Sequence, residues 1–204
     1  DETIRLNISV FDGCRKLEPC DSDPQRIFVG STMELFGDWV NEEWLENIFA
    51  LTSDYPWHRF IFLTKRPENL INWSPFPDNC WVGVSVDGTP ENPLSRALYN
   101  GLNRIKAKVK FLSFEPLLAD THVDPRDFSG EMAGEIVNSI QWVIIGQQTP
   151  VKLATMPKLG WVENIVNAAD KSDIPVFLKN NLISCVDQYD FAIKDGKLRQ
   201  EFPP

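Results

Sequence analysis

The chain has 204 residues, 43% of them hydrophobic and 11% aromatic, enough for one sizeable core. Its formal charge of -9 and pI near 4.7 argue against a broad nucleic-acid or anionic-membrane surface, which needs clustered Lys and Arg to displace counterions. No run approaches the roughly 20 apolar residues of a membrane helix, and the start, DETIRLNISV, has neither the basic opening nor the apolar stretch of a signal peptide, so a cytoplasmic protein without membrane partners is expected.

Residues 1–26 carry no clear periodicity and read as an irregular or truncated segment. Cys14 and Cys20 lie there with five residues between them, a spacing unlike that of zinc knuckles or cluster motifs; with Cys80 and Cys185 they read as reduced thiols. Two histidines, His58 and His122, are too few for a histidine-rich metal centre.

From Ile27 onward, short apolar runs alternate with helical patterns. IFVGS ends in Ser31 and Thr32, and NEEWLENIFAL follows with Trp44, Leu45, Ile48 and Phe49 on one face behind an Asn41 cap and two first-turn acids. FIFLT, from Phe60, ends in Thr64, Lys65 and Arg66 before a weaker helix over Pro67 to Trp73. WVGVSV, from Trp81, leads to Ser85 and Asp87 and a helix within Pro93 to Ile105. VKFLSF, from Val109, ends in Glu115, and part of Phe128 to Ile140 reads as helix. WVIIG, from Trp142, is followed by Gly146, Gln147, Gln148 and Thr149, then by the helix WVENIVNAADK. PVFLK, from Pro175, ends in Lys179 and Asn180, and 185–204 form a covering tail.

The runs are near-continuous rather than alternating, as parallel strands buried on both faces are. Their starts lie 33, 21, 28, 33 and 33 residues apart, close to one strand-loop-helix-loop unit. An eightfold barrel takes about 250 residues, so the expected fold is α/β, a single partial (β/α) TIM-like barrel domain over 1–204, with an open doubly wound sheet as the alternative. Both place ligands beyond the C-terminal strand ends. The exits therefore gather into one mouth, with Glu115, Lys65 and Lys179 as catalytic candidates and Ser31, Thr64, Ser85, Asp87, Gln147 and Gln148 as cofactor-binding candidates.

Each has a plainer reading. Lys65 and Arg66 suit a solvated helix start, Ser85 and Asp87 a turn before Gly88, Gln147 and Gln148 a loop brace, and Lys179 an exposed strand end. Glu115 follows Phe111, Leu112 and Phe114, and a carboxylate there needs a partner: a strand-end Lys or Arg, or a ligand. Pro116 fixes where it emerges. No phosphate-cradling glycine loop and no Ser-His-acid set is present.

The phrases IFVGSTMELFGDWV, FIFLTKRPENL, CWVGVSVD, VKFLSFEPLL, QWVIIGQQT and IPVFLKNNL, in this order over about residues 26–182, resemble a family of phage- and prophage-associated proteins of the radical S-adenosylmethionine superfamily. The resemblance implies a partial barrel, S-adenosylmethionine and an iron-sulfur cluster. It implies that Ser85 and its neighbours contact the cofactor's polar groups while Glu115, Lys65 and Lys179 face cofactor or substrate. The substrate class, small or macromolecular, stays open. Relatives carry three closely spaced cysteines after the first strand; FDGCRKLEPC keeps two at another spacing, so the cluster ligands are not identifiable, and Gln147 and Gln148 stand where relatives have glycine followed by glutamate. The chain starts at Asp1, so the expectation is that the cluster loop precedes it or has been lost. Two other functions compete: a noncatalytic barrel binding a nucleotide-like ligand or a protein, and an enzyme using Lys65 or Lys179 as nucleophile with Glu115 as proton shuttle.

Overall fold

A computed structural model describes residues 24–204 apart from 32, 130, 133–134 and 137–139. Six strands, β1 (Arg26–Val29), β2 (Arg59–Thr64), β3 (Cys80–Ser85), β4 (Val109–Phe114), β7 (Trp142–Ile145) and β8 (Val176–Leu178), form one sheet in that order, every neighbouring pair parallel. The short hairpin β5 (Glu131–Met132) and β6 (Glu135–Ile136) stands apart from it. An order that follows the chain without reversal has no topological switch point, so right-handed crossovers keep the helices on one face. The sheet curls into a half-barrel, the partial β/α barrel expected from the sequence rather than the doubly wound alternative.

Along the chain, α1 (Glu42–Asp54) follows β1, α2 (Leu94–Tyr99) follows β3, α3 (Pro125–Ser129) precedes the hairpin, α4 (Leu159–Lys171) follows β7 and α5 (Ile183–Val186) follows β8. The Asn41 side chain accepts the Glu43 N–H at 3.0 Å, capping α1. Leu45 and Ile48 of α1 and Val162, Ile165 and Val166 of α4 are buried. They pack on the sheet's convex face against Phe60, Phe62, Val84, Leu112, Phe114, Val143 and Ile145. Two helix expectations need correction. Pro67–Trp73 is a 3-10 run, and 128–140 holds the hairpin β5–β6 instead of a helix, the turn of helix lying upstream in α3. Phe128, Met132, Ile136 and Ile140 keep a four-residue spacing that suits a helix, but Gly130 and Gly134 weaken it.

Residues of opposite parity face inward. Ile61, Trp81, Val109, Phe111, Trp142 and Ile144 form a second, concave core. Gly83 makes this possible, since a Cβ there would sit 2.2 Å from Phe111 Cζ, so the ring lies across the glycine. The tail closes this layer from below. After the hairpin β9 (Ile193–Lys194) and β10 (Lys197–Leu198), Arg199–Glu201 run antiparallel to β8: Leu178 N–H donates to Arg199 O at 2.8 Å and Glu201 N–H to Val176 O at 3.0 Å. The β8 edge is thereby covered. Phe202 enters the concave side, 5.4 Å from the Trp142 ring and 5.2 Å from Phe177, with the Arg26 guanidinium 3.7 Å above it.

Among the described residues no helix is long and apolar enough to cross a membrane.

Candidate functional site

Side chains of a strand alternate faces, so the inward columns can be followed toward the C-terminal ends. Each turns from apolar to polar: Trp81 and Gly83 lead to Ser85, Phe111 to Ser113 and Glu115, and Phe177 to Lys179. Register sets Ser85 beside Ser113. These ends surround a cavity of about 660 Å³ whose floor and walls include Leu63, Trp142, Ile144, Phe177 and Phe202.

Six of the nine residues singled out from sequence line this cavity: Ser31, Thr64, Lys65, Ser85, Glu115 and Lys179. Asp87, Gln147 and Gln148 are not on its wall. Asp87 accepts the Thr89 N–H at 2.9 Å and hydroxyl at 2.7 Å, and its carbonyl accepts the N–H groups of Leu118 and Ala119, holding two loops together. Gln147 is buried and clamps Asn181: its side-chain amide donates to the Asn181 carbonyl, and the Asn181 amide returns a bond to Gln147 O at 2.8 Å. Gln148 is exposed.

Glu115 stands one residue beyond β4 and reaches past β7 to Lys179 at the end of β8, two strand spacings or roughly 9–10 Å away. The Oε1 to Nζ distance is 2.6 Å, with the side chains 24% and 42% exposed respectively. Gly146 at the end of β7 lets the carboxylate cross, because a Cβ there would lie 2.9 Å from Oε1 and 3.0 Å from Cδ. The same glycine donates its N–H to Phe114 O at 3.0 Å and accepts the Leu117 N–H at 3.1 Å, pinning the loop on both sides of Glu115. Lys179 N–H donates to Ile145 O at 3.0 Å. Below Glu115 on the same inward column, Ser113 is 1% exposed and its hydroxyl has no partner among the described residues.

The opposite rim is built on Glu34, which the sequence reading did not single out. Its Oε1 accepts the Thr64 hydroxyl at 2.5 Å and the Phe36 N–H at 3.1 Å, and its Oε2 accepts the Lys65 N–H at 2.8 Å. Thr64 Oγ1 in turn accepts the Arg66 N–H at 2.8 Å. Ser31 follows Gly30, whose φ of +69° and close contact with Leu35 exclude a side chain. A charge inside GSTMELF was the available signal for Glu34, but nothing in the spacing tied it to a strand end thirty residues on. Among the described residues the charged lining, Glu34 and Glu115 with Lys65 and Lys179, sums to zero.

The thiols of the described residues lie away from the cavity. Cys80 is buried on the helix side, and burial pushes its thiol up to about 11, against a weaker opposing pull from the Thr52 hydroxyl. Burial also raises the thiol of Cys185. Among the described residues no group of three His, Cys, Asp or Glu could hold a metal ion, and Cys14 and Cys20 lie outside those residues.

Fold and cavity together define an α/β half-barrel with a strand-end cavity, apolar below and mixed in charge above. The chain belongs to a family described as a protein of unknown function (DUF5131), which it matches over residues 7–188. No curated protein and no solved structure matches it.

Proposed function

We propose that the protein binds a nucleoside-bearing small molecule in this cavity, with S-adenosylmethionine the first candidate and the radical S-adenosylmethionine superfamily its wider kinship. The carrying observation is that Ser31, Thr64, Lys65, Ser85, Glu115 and Lys179, drawn from five separate strand ends, line one cavity of about 660 Å³. That volume suits a ligand of several hundred daltons. An aromatic and aliphatic wall of Trp142, Phe177 and Ile144 offers a surface for a planar base, and the neighbouring Ser85 and Ser113 can bond a sugar or other polar edge. The resemblance of the strand-end phrases supplies the S-adenosylmethionine candidate and the phage-associated and cytoplasmic setting.

The described residues do not fit an iron-sulfur cluster, for they offer no set of thiolates near the cavity, so the reading stops at ligand binding and includes no electron transfer. A lysine-nucleophile reading gains little support. Among the described residues burial pushes the amine of Lys110 down to about 8, but Lys110 is 2% exposed and donates to Leu102 O on the helix side of the sheet, away from the cavity.

Calorimetric titration with S-adenosylmethionine, S-adenosylhomocysteine and 5′-methylthioadenosine tests the proposal. Micromolar to millimolar binding, weakened roughly tenfold in Ser85→Val, supports it. Failure of all three compounds to bind or to raise the melting temperature removes it. Anaerobic reconstitution with iron and sulfide, read by visible absorption, separately tests cluster capacity, and binding without turnover supports the noncatalytic alternative.

A further inference from the structure

We propose that the Glu115, Gly146 and Lys179 corner is a head-group subsite for a ligand carrying an ammonium and a carboxylate side by side, that is, a free α-amino acid. The inference rests on reading the cavity as a ligand site, and it names the chemistry one corner would take.

Charge is the first ground. Among the described residues two carboxylates and two ammonium groups line the cavity and cancel. A phosphate would set its charge against Glu34 and Glu115, whereas a zwitterion adds no net charge.

The state of each acid is the second. Both oxygens of Glu34 are engaged by N–H and O–H donors within its own rim, which leaves that carboxylate as a brace. Among the described residues Glu115 has only the Lys179 ammonium, at 2.6 Å. Parting that pair for an uncompensated ligand would strand a charge. A zwitterion avoids this: its ammonium replaces Lys179 beside Glu115, and its carboxylate replaces Glu115 beside Lys179.

Ser113 is the third ground and independent of the pair. It is 1% exposed, lines the cavity one pleat below Glu115, and its hydroxyl has no partner among the described residues. An unmade hydrogen bond at a buried hydroxyl is costly, and a ligand carboxylate held by Lys179 is an acceptor within that part of the cavity. Gly146 completes the corner, because any side chain there would fill the place where the two charged groups meet.

The test is calorimetric titration of the 204-residue chain with three probes: L-methionine, 3-(methylthio)propylamine, which lacks the carboxylate, and 4-(methylthio)butanoate, which lacks the amine. The thioether tail suits the wall of Ile144 and Phe177. Methionine is expected to bind roughly tenfold or more tightly than either truncated probe. Glu115→Gln should erase its advantage over the butanoate, Lys179→Met its advantage over the propylamine, and Gly146→Ala should reduce both. Circular dichroism and melting temperature verify folding of each variant. Equal affinity for the three probes, no binding of any, or discrimination unchanged in the folded Glu115→Gln and Lys179→Met variants overturns the inference. The two readings fail separately. Binding of S-adenosylmethionine and 5′-methylthioadenosine with no discrimination among the amino-acid probes sinks only this one, and discrimination without binding of either adenosyl compound sinks only the adenosyl candidate.

Discussion

The two ends of the half-barrel both carry ion pairs, and they use them differently. At the lower end Arg199 is 9% exposed and bonds Asp170 with two nitrogens, at 3.0 and 2.8 Å, and Glu201 with two more contacts, at 3.2 and 2.8 Å. Glu201 also accepts the Val176 N–H at 3.0 Å and pairs with Lys194. At the upper end Glu115 and Lys179 make a single contact, with an unspent serine hydroxyl below them. A charge saturated by several donors fixes the tail against β8. One with a single replaceable partner remains open to a ligand. Barrel folds divide labour this way, with stability below the strands and chemistry above them.

The contrast can be broken by mutation. The largest effect is expected from Arg199→Met, which removes the partner that Asp170 and Glu201 share and loosens the tail. A loss of about 2–4 kcal/mol by urea unfolding is expected, near the figure for breaking a mostly buried pair from one side. Glu115→Gln should cost less than about 1 kcal/mol, as a half-exposed pair does. Equal costs for the two variants would mean that the upper pair holds the fold and is not reserved for a ligand.

Acid titration sharpens the same comparison. Burial alone would raise the Glu201 carboxyl, but Lys194, the Val176 N–H and Arg199 outweigh it and hold the group at about 2, below its ordinary 4.5. The folded state thus binds fewer protons than the unfolded one between these values. Its contribution is complete above about 4.5 and is lost as pH falls toward about 2. Urea midpoints measured across this range should fall, and should fall less steeply in Arg199→Met.

An effect of similar size is expected on the basic side. Lys110 loses its proton at about 8 in the folded protein against an ordinary 10.5, because burial disfavours the ammonium. The unfolded chain then binds more protons between those values, so this group makes stability rise with pH from about 8 to about 10.5. Lys110→Met should flatten that rise. The smallest effect is that of Gly146→Ala on stability, a few tenths of a kcal/mol, since the clash is with the movable end of Glu115. A loss of several kcal/mol there would mean that the loop at Phe114 and Leu117 depends on the glycine more than the pair does.

The strands were legible because burial on both faces leaves continuous apolar runs, and FIFLT, WVGVSV and VKFLSF each fall within a residue or two of a strand. The long helices were legible from their stripes. The hairpin at 131–136 was not, because the four-residue spacing of Met132, Ile136 and Ile140 reads as helix while Gly130 and Gly134 weaken that choice. Glu34 was missed for another reason: its partners Thr64 and Lys65 lie on the next strand, and a loop's path across a barrel mouth leaves no spacing in the sequence. Asp87 and Gln147 stood at strand exits as expected, yet their side chains turn to neighbouring loops, which strand position does not predict.

The sequence alone determined that six apolar runs would lie parallel with polar exits on one side, since the hydrophobic effect acts on pattern and the crossover lengths permit only parallel pairing. Tertiary structure decided which exits share a wall. Register set Ser85 beside Ser113, curl and the absence of a side chain at Gly146 brought Glu115 to Lys179, and the returning tail placed Phe202 beneath them. Alternation fixes the face of a residue within its own strand, but neighbours across strands depend on register and curvature, which arise only when the sheet is packed.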